Sequence, residues 1–219
     1  MEDSTHPRVL VFSLIIGALL LIMVTGSFIR AKNREGTIVL PGGITYLGPT
    51  PTKQAAQTQS ADGKIPVSPT DPWVEKKGSV FPYSFSYPQS LSLGIFPNDP
   101  YDAVTIFYAD TNSNANIFFR VENLTTLKKQ QYIGNIKDYA NIWWKDYAWK
   151  GVSSVKEFTN SHGLKGFRAS YTNDQGKIPY DHVFFEVPGN TNLVIWTSGK
   201  LFSDEVFSKL VDSVSWTKK

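Results

Sequence analysis

The chain has 219 residues, 22 Lys and Arg against 19 Asp and Glu, a formal net charge of +3, and no cysteine. The missing thiols exclude disulfides, cysteine zinc sites, thiol catalysis and a lipidated cysteine. So mild a charge, without a clustered basic face, predicts no nucleic-acid partner.

Residues 1–8 form a short tail carrying Glu2, Asp3, His6 and Arg8. Val9 to Ile29 follows with no charged side chain. At about 1.5 Å of rise per residue it predicts a helix roughly 31 Å long, matching a hydrocarbon core of about 30 Å. The run is longer than the apolar core of a signal peptide and its flank is poorly basic, so it reads as an uncleaved single-pass anchor, with cleavage near Thr25-Gly26-Ser27 as the alternative. The lipid bilayer is therefore an expected partner. Arg30, Lys32 and Arg34 lie just past the span, where they would meet anionic head groups. Counted against Arg8 they favour a cytoplasmic C-terminal side. An anchor, a polar tether and a globular domain is instead the plan of an exported envelope protein. The second argument is preferred, which puts the domain on the extracytoplasmic side of the cell membrane.

Residues 30–72 read as a basic juxtamembrane segment and a disordered linker, because Pro, Gly, Thr, Ser and Gln dominate Pro41 to Pro72 and leave too little apolar surface to offset ordering. A flexible coil of about 30 residues spans about 30 Å. Within it, Ile38 to Leu40 and Ile44 to Leu47 are able to pair around Pro41-Gly42-Gly43, although two strands alone are marginal.

Residues 73–219 change to aromatic and β-branched runs bounded by turn residues, enough for one domain with its own core. Val80 to Tyr87 alternates with period two, and Leu91 to Phe96 is its expected hairpin partner. Ala103 to Ala109 and Asn116 to Leu124 read as strands joined through the polar loop Asp110 to Asn114. In Asn135 to Lys150, Ile136, Tyr139, Ala140, Trp143 and Tyr147 form one helical stripe capped by Asn135 and ended by Gly151. Trp144 lies off that stripe. Strands resume over Val152 to Phe158, Leu164 to Thr172, Tyr180 to Val187 and Asn192 to Thr197. A closing helix is capped by Ser203, carries Asp204 and Glu205 in its first turn, and buries Val206 or Phe207, Leu210, Val211 and Val214. The order predicts an α+β domain, helices packed on a largely antiparallel sheet.

Phe85-Ser86-Tyr87-Pro88, the strand Lys165 to Tyr171, the late strand Leu193 to Thr197 and the closing Leu210-Val211-Asp212-Ser213-Val214-Ser215-Trp216 resemble the PsbP-like family. The resemblance covers about Trp73 to Trp216 in pattern and order. It implies an antiparallel sheet between helices, and a non-catalytic extrinsic domain that docks on membrane complexes; it carries over no site residue.

Candidate chemistry is sparse. His6, His162 and His182 share no element, so no histidine zinc pair is expected. Asp181 and His182 are adjacent in a strand and point to opposite faces, which prevents them from orienting one another. Asp99, Asp102 and Asp110 supply oxygens but not EF-hand spacing. No phosphate loop, dinucleotide glycine fingerprint or nucleophile elbow is present. Asn123-Leu124-Thr125 fits a glycosylation acceptor. Trp73, Trp144 and Trp149 are the tryptophans that would make a sugar-stacking face if exposed together, whereas Trp143 and Trp196 belong to the core. No catalytic, cofactor or metal residue is assigned. The expected function is a membrane-tethered, non-enzymatic docking module that meets an envelope protein complex or wall polymer. The alternatives are an enzyme using Asp99, Asp102 or Glu186 in a cleft, and a structural envelope protein.

Overall fold

The computed structural model describes residues 37–40, 44–48, 63–108, 116–147, 149–178 and 180–217. The chain divides into two compact units, Met1–Thr37 and Ile38–Lys219, and the account below concerns the second. The expected span Val9 to Ile29 lies outside the described residues; among those described, no helix is long and apolar enough to cross a membrane.

Among the described residues, thirteen strands and two short helices make a mostly antiparallel α+β fold. The strands are β1 (Thr37–Leu40), β2 (Ile44–Leu47), β3 (Trp73–Lys77), β4 (Tyr83–Pro88), β5 (Leu93–Ile95), β6 (Val104–Ile106) and β7 (Ile117–Asn123), then β8 (Gly151–Thr159), β9 (Lys165–Asn173), β10 (Gly176–Lys177), β11 (His182–Glu186), β12 (Leu193–Ser198) and β13 (Ser215–Trp216). Helix α1 is Ile136–Ile142 and α2 is Asp204–Ser213. Ten strands form one sheet in the order β1-β2-β5-β6-β7-β12-β11-β9-β10, with β8 also beside β9, and β13-β4-β3 form a second, smaller sheet.

Period-two alternation divides the large sheet into two cores. Val183 and Phe185 of β11, Leu193 and Ile195 of β12, and Phe119 and Val121 of β7 face the small sheet and α2, meeting Phe85, Phe207, Leu210 and Val214. Phe184, Val194 and Trp196 point the other way, toward Tyr139, Ala140 and Trp143 beneath α1. With a layer on each face, β12 is buried along its whole length, which is why Leu193 to Trp196 reads as an unbroken apolar run. Both helix starts follow their caps: the Asp138 N–H donates to the Asn135 side chain at 3.2 Å, and the Val206 N–H to Ser203 Oγ at 3.3 Å.

Several expectations need correction. The helix expected over Asn135 to Lys150 stops at Ile142 and passes into a 3-10 turn over Trp143–Asp146. Trp143, Tyr147 and Trp149 pack on one another, with ring centroids 4.3, 5.1 and 5.6 Å apart. Residues two apart lie on opposite sides of a helix, so Tyr147 and Trp149 meet only if it unwinds. Leu91 to Phe96 is not the hairpin partner of Val80 to Tyr87: β4 pairs with β3 and β13, and β5 with β2 and β6. The turn at Pro88 to Leu91 instead carries the chain between sheets. β4 starts at Tyr83 rather than Val80, because the Gly78 N–H donates to the Tyr83 carbonyl at 2.8 Å and closes a tight loop. There a Cβ on Gly78 would sit 2.0 Å from the Phe81 carbonyl oxygen. Part of the segment read as linker is structured. β2 pairs with β5, Ile65 is 2% exposed in the core, and its N–H donates to the Leu201 carbonyl at 2.8 Å.

Candidate functional site

The densest concentration of ionisable and aromatic groups lies between α1 and the sheet. Strand β7 sends Arg120 and Glu122 to that side, alternating with Phe119 and Val121. Glu122, 1% exposed, accepts from Arg120 Nε at 2.8 Å, from the Tyr139 hydroxyl at 2.8 Å and from Trp143 Nε1 at 3.4 Å. Arg120 also donates to the Tyr147 hydroxyl at 3.2 Å and lies over the Trp196 ring at 4.8 Å. Burial works against the guanidinium charge, but the Glu122 carboxylate and the Tyr147 hydroxyl together outweigh it and hold Arg120 above its ordinary value. Burial, reinforced by the same carboxylate, raises the Tyr139 phenol.

His182 enters this cluster from β11, ringed by Trp143, Trp149, Tyr171, Tyr180 and Trp196 with centroids 5.0 to 5.8 Å away. Its Nδ1 accepts from Trp196 Nε1 at 3.2 Å, whereas Nε2 is buried without a hydrogen-bond partner among the described residues. Burial pushes its pKa down to about 3, against a partial pull from the Asp181 carboxylate. The imidazole is thus neutral, with its proton on Nε2, and rings fill the space around it. Each charge in this cluster is matched by another, which suits fastening α1 to the sheet.

The residues considered for chemistry are mostly held in structural contacts. Asp102 Oδ2 accepts three backbone N–H groups, from Ser79, Val80 and Phe81, at 2.7, 2.9 and 3.2 Å. Asp99 accepts from the Tyr101 and Ala103 N–H groups at 3.2 and 2.8 Å, and in its shallow cleft of about 220 Å³ the facing side chain is Arg120. Glu186 opens onto a cleft of about 310 Å³ but faces Lys165 at 3.5 Å rather than a second carboxylate. Asp181 turns to Arg168 at 2.8 Å and to Ser170, away from its neighbour His182. His162 sits exposed in a turn, its N–H donating to Asn160 Oδ1 at 3.2 Å. Asn123 Oδ1 accepts from the Thr125 N–H at 3.0 Å, closing a local turn. His6 and Asp110 lie outside the described residues. Among the described residues, no cluster of three or more metal-ligating side chains occurs.

The tryptophans do not assemble into one sugar-stacking face. Trp143 and Trp196 are buried as expected. Trp73 is half-buried in the small sheet under Lys209, 4.3 Å from its ring, while Trp144 and Trp149 belong to the α1 layer. Among the described residues, the exposed large apolar side chains are Val80 and Tyr147, in different layers.

One feature of the surface has no counterpart in the sequence expectations. At the lateral edge of the large sheet, β8 runs nine residues beside β9. Where its C-terminal half overhangs α2, a groove of about 370 Å³ opens between the two, walled by Lys156, Phe158, Arg168, Ser208, Val211 and Asp212. A pattern of strand lengths does not reveal which strand ends up outermost, so the residues gave no signal for it. No family model, curated protein or solved structure matches the chain.

Proposed function

We propose that this chain is a membrane-tethered, non-enzymatic docking module of the cell envelope, of the PsbP-like kind, whose folded domain binds a protein complex within reach of its N-terminal anchor. The observation that carries the reading is the long edge strand β8 with an apolar groove beside it, at which the large sheet ends with no further strand among the described residues. The buried ionisable groups add support. Glu122, Arg120 and Asp102 are committed to one another or to the backbone, an arrangement suited to holding a scaffold rigid. The uncharged run Val9 to Ile29 supplies the anchor, and tethering raises the local concentration of the domain beside membrane partners.

The test is in-cell crosslinking of the full-length chain, with partners identified and compared against a version lacking residues 1–36, the anchor and the segment that tethers it to β1. A specific envelope partner recovered by the intact chain, and lost or weakened on shortening, supports the reading. Recovery of nothing above background, together with turnover of a small substrate by the protein, overturns it.

A further inference from the structure

Among the described residues the strand partner of β8 is β9, and no strand pairs with its other side. The two halves of β8 differ. Its register slips between Val152 and Ser154, and Ser153 Oγ donates to the Ser170 carbonyl at 3.0 Å, so the first half is bulged and turned inward. From Ser154 to Thr159 the pairing with β9 runs without interruption. A regular edge presents a row of N–H and C=O groups on its outer side, a template for one more strand, whereas a bulged one does not. The regular half is also the half beside the groove, with Lys156 and Phe158 both lining it.

We propose that β8 is a docking strand: an extended segment of a partner protein adds antiparallel to Val155–Thr159, placing an apolar side chain over the groove opposite Phe158 and an acidic one opposite Lys156. This deepens the docking-module reading and rests on it. The charges on the strand choose the partner. Arg168 is taken up by Asp181 at 2.8 Å and Glu157 by Lys165 at 3.4 Å, which leaves Lys156 exposed and, among the described residues, without an ion pair. Phe158 and Val211 line the floor of the groove beside it. Directly opposed residues in an added strand share a face, so the partner meets the Phe158 and Lys156 face with every second side chain and the Glu157 face with the one between. Read from its N-terminus, the partner carries an apolar, a basic and an acidic residue in succession.

A second copy of this chain fits less well. The twofold register that pairs all of Val155–Thr159 sets Glu157 against Glu157, and the neighbouring one centred on residue 156 sets Lys156 against Lys156; like charges directly opposite are destabilising. A lone lysine on an edge also serves elsewhere to discourage pairing. The two roles differ in whether an acid on the partner is favoured.

The experiment uses the full-length protein in detergent and a synthetic peptide, acetyl-TTLKEVTS-amide, whose Leu, Lys and Glu fall opposite Phe158, Glu157 and Lys156. The expected result is saturable binding with hydrogen-exchange protection confined to amides of Val155–Thr159. Lys156→Glu, an exposed change that leaves the core untouched, weakens binding by about three- to tenfold, the effect of turning one favourable cross-strand charge pair into a repulsive one. A peptide with its Glu replaced by Lys restores it on that variant. Absence of saturable binding, equal affinity for Lys156→Glu, or protection elsewhere in the fold overturns strand addition at β8. So does peptide-independent protection of β8 that grows with protein concentration, which would mean self-pairing, or protection of β8 by soluble wall-polymer fragments. A tether-dependent partner crosslinked at another surface would overturn this inference alone, whereas loss of any such partner would overturn the docking reading beneath it.

Discussion

The aromatic cage around His182 makes stability depend on pH in a direction fixed by its geometry. In the unfolded chain His182 titrates near its ordinary value of about 6.5, whereas in the fold its pKa is about 3. Above pH 6.5 the imidazole is neutral in both states and contributes no slope. Between about pH 6.5 and 3 only the unfolded chain takes up the proton, so stability falls by about 1.4 kcal/mol per pH unit, and it levels off below that window. At about pH 4 the accumulated loss is about 3.4 kcal/mol. His182→Phe keeps a ring in the cage and removes the titration. Phe cannot accept the Trp196 indole N–H, yet it also eliminates the unpartnered Nε2, so at pH 7.5 the two proteins should differ by about 1 kcal/mol or less. Urea unfolding followed by tryptophan fluorescence, on a chain beginning at Ile38 and measured from pH 7.5 to 4, compares the two slopes directly. Carboxylates that titrate in both proteins cancel in the difference. Parallel slopes would refute a neutral, desolvated His182.

Further outcomes follow from contacts elsewhere. Asp102→Ala strips three backbone N–H groups of their shared acceptor and should cost about 3 kcal/mol in the same assay. Thr197→Val should be neutral or stabilising by up to about 1 kcal/mol, because the buried Thr197 hydroxyl has no hydrogen-bond partner among the described residues; a loss above about 1.5 kcal/mol would contradict that. Leu210→Asp, fully buried on α2, should lower stability by about 3 kcal/mol or more. A chain beginning at Trp73 should be less stable than one beginning at Ile38 by about 2 kcal/mol or more, since it lacks Ile65 and the β2 pairing with β5. The full-length protein should stay with membranes after alkaline carbonate washing; release would contradict the Val9 to Ile29 anchor.

Elements that carry their own apolar run, period or cap were readable from residue order. Strands β7, β9, β11 and β12 and the capped start of each helix fall where period and caps put them. The misreadings share one cause, contacts made with residues far along the chain. Nothing in Trp-Val-Glu-Lys-Lys alternates, yet it forms β3 because β4 pairs with it. Leu91 to Phe96 looks like the return of a hairpin but pairs with β2, more than 40 residues earlier in sequence. Arg120 and Glu122 alternate with apolar neighbours as a wet strand face would, and only the packing of α1 over them turns that face into a buried ion pair. The same holds for the candidate site, since β8 is an edge only by virtue of the sheet order.

The docking claim is tested most directly by placing a photo-crosslinking amino acid at Thr159, exposed at the groove beside β8, in the full-length chain expressed in its own cells. A matched protein carries the same group at exposed Glu75 of β3, in the other sheet. The account predicts one discrete adduct from Thr159, absent from Glu75, and weakened when Lys156→Glu is added, with the crosslinked partner peptide carrying an apolar, a basic and an acidic residue in succession in an extended segment. Equal capture from both positions, or an adduct at Thr159 indifferent to Lys156→Glu, would contradict it.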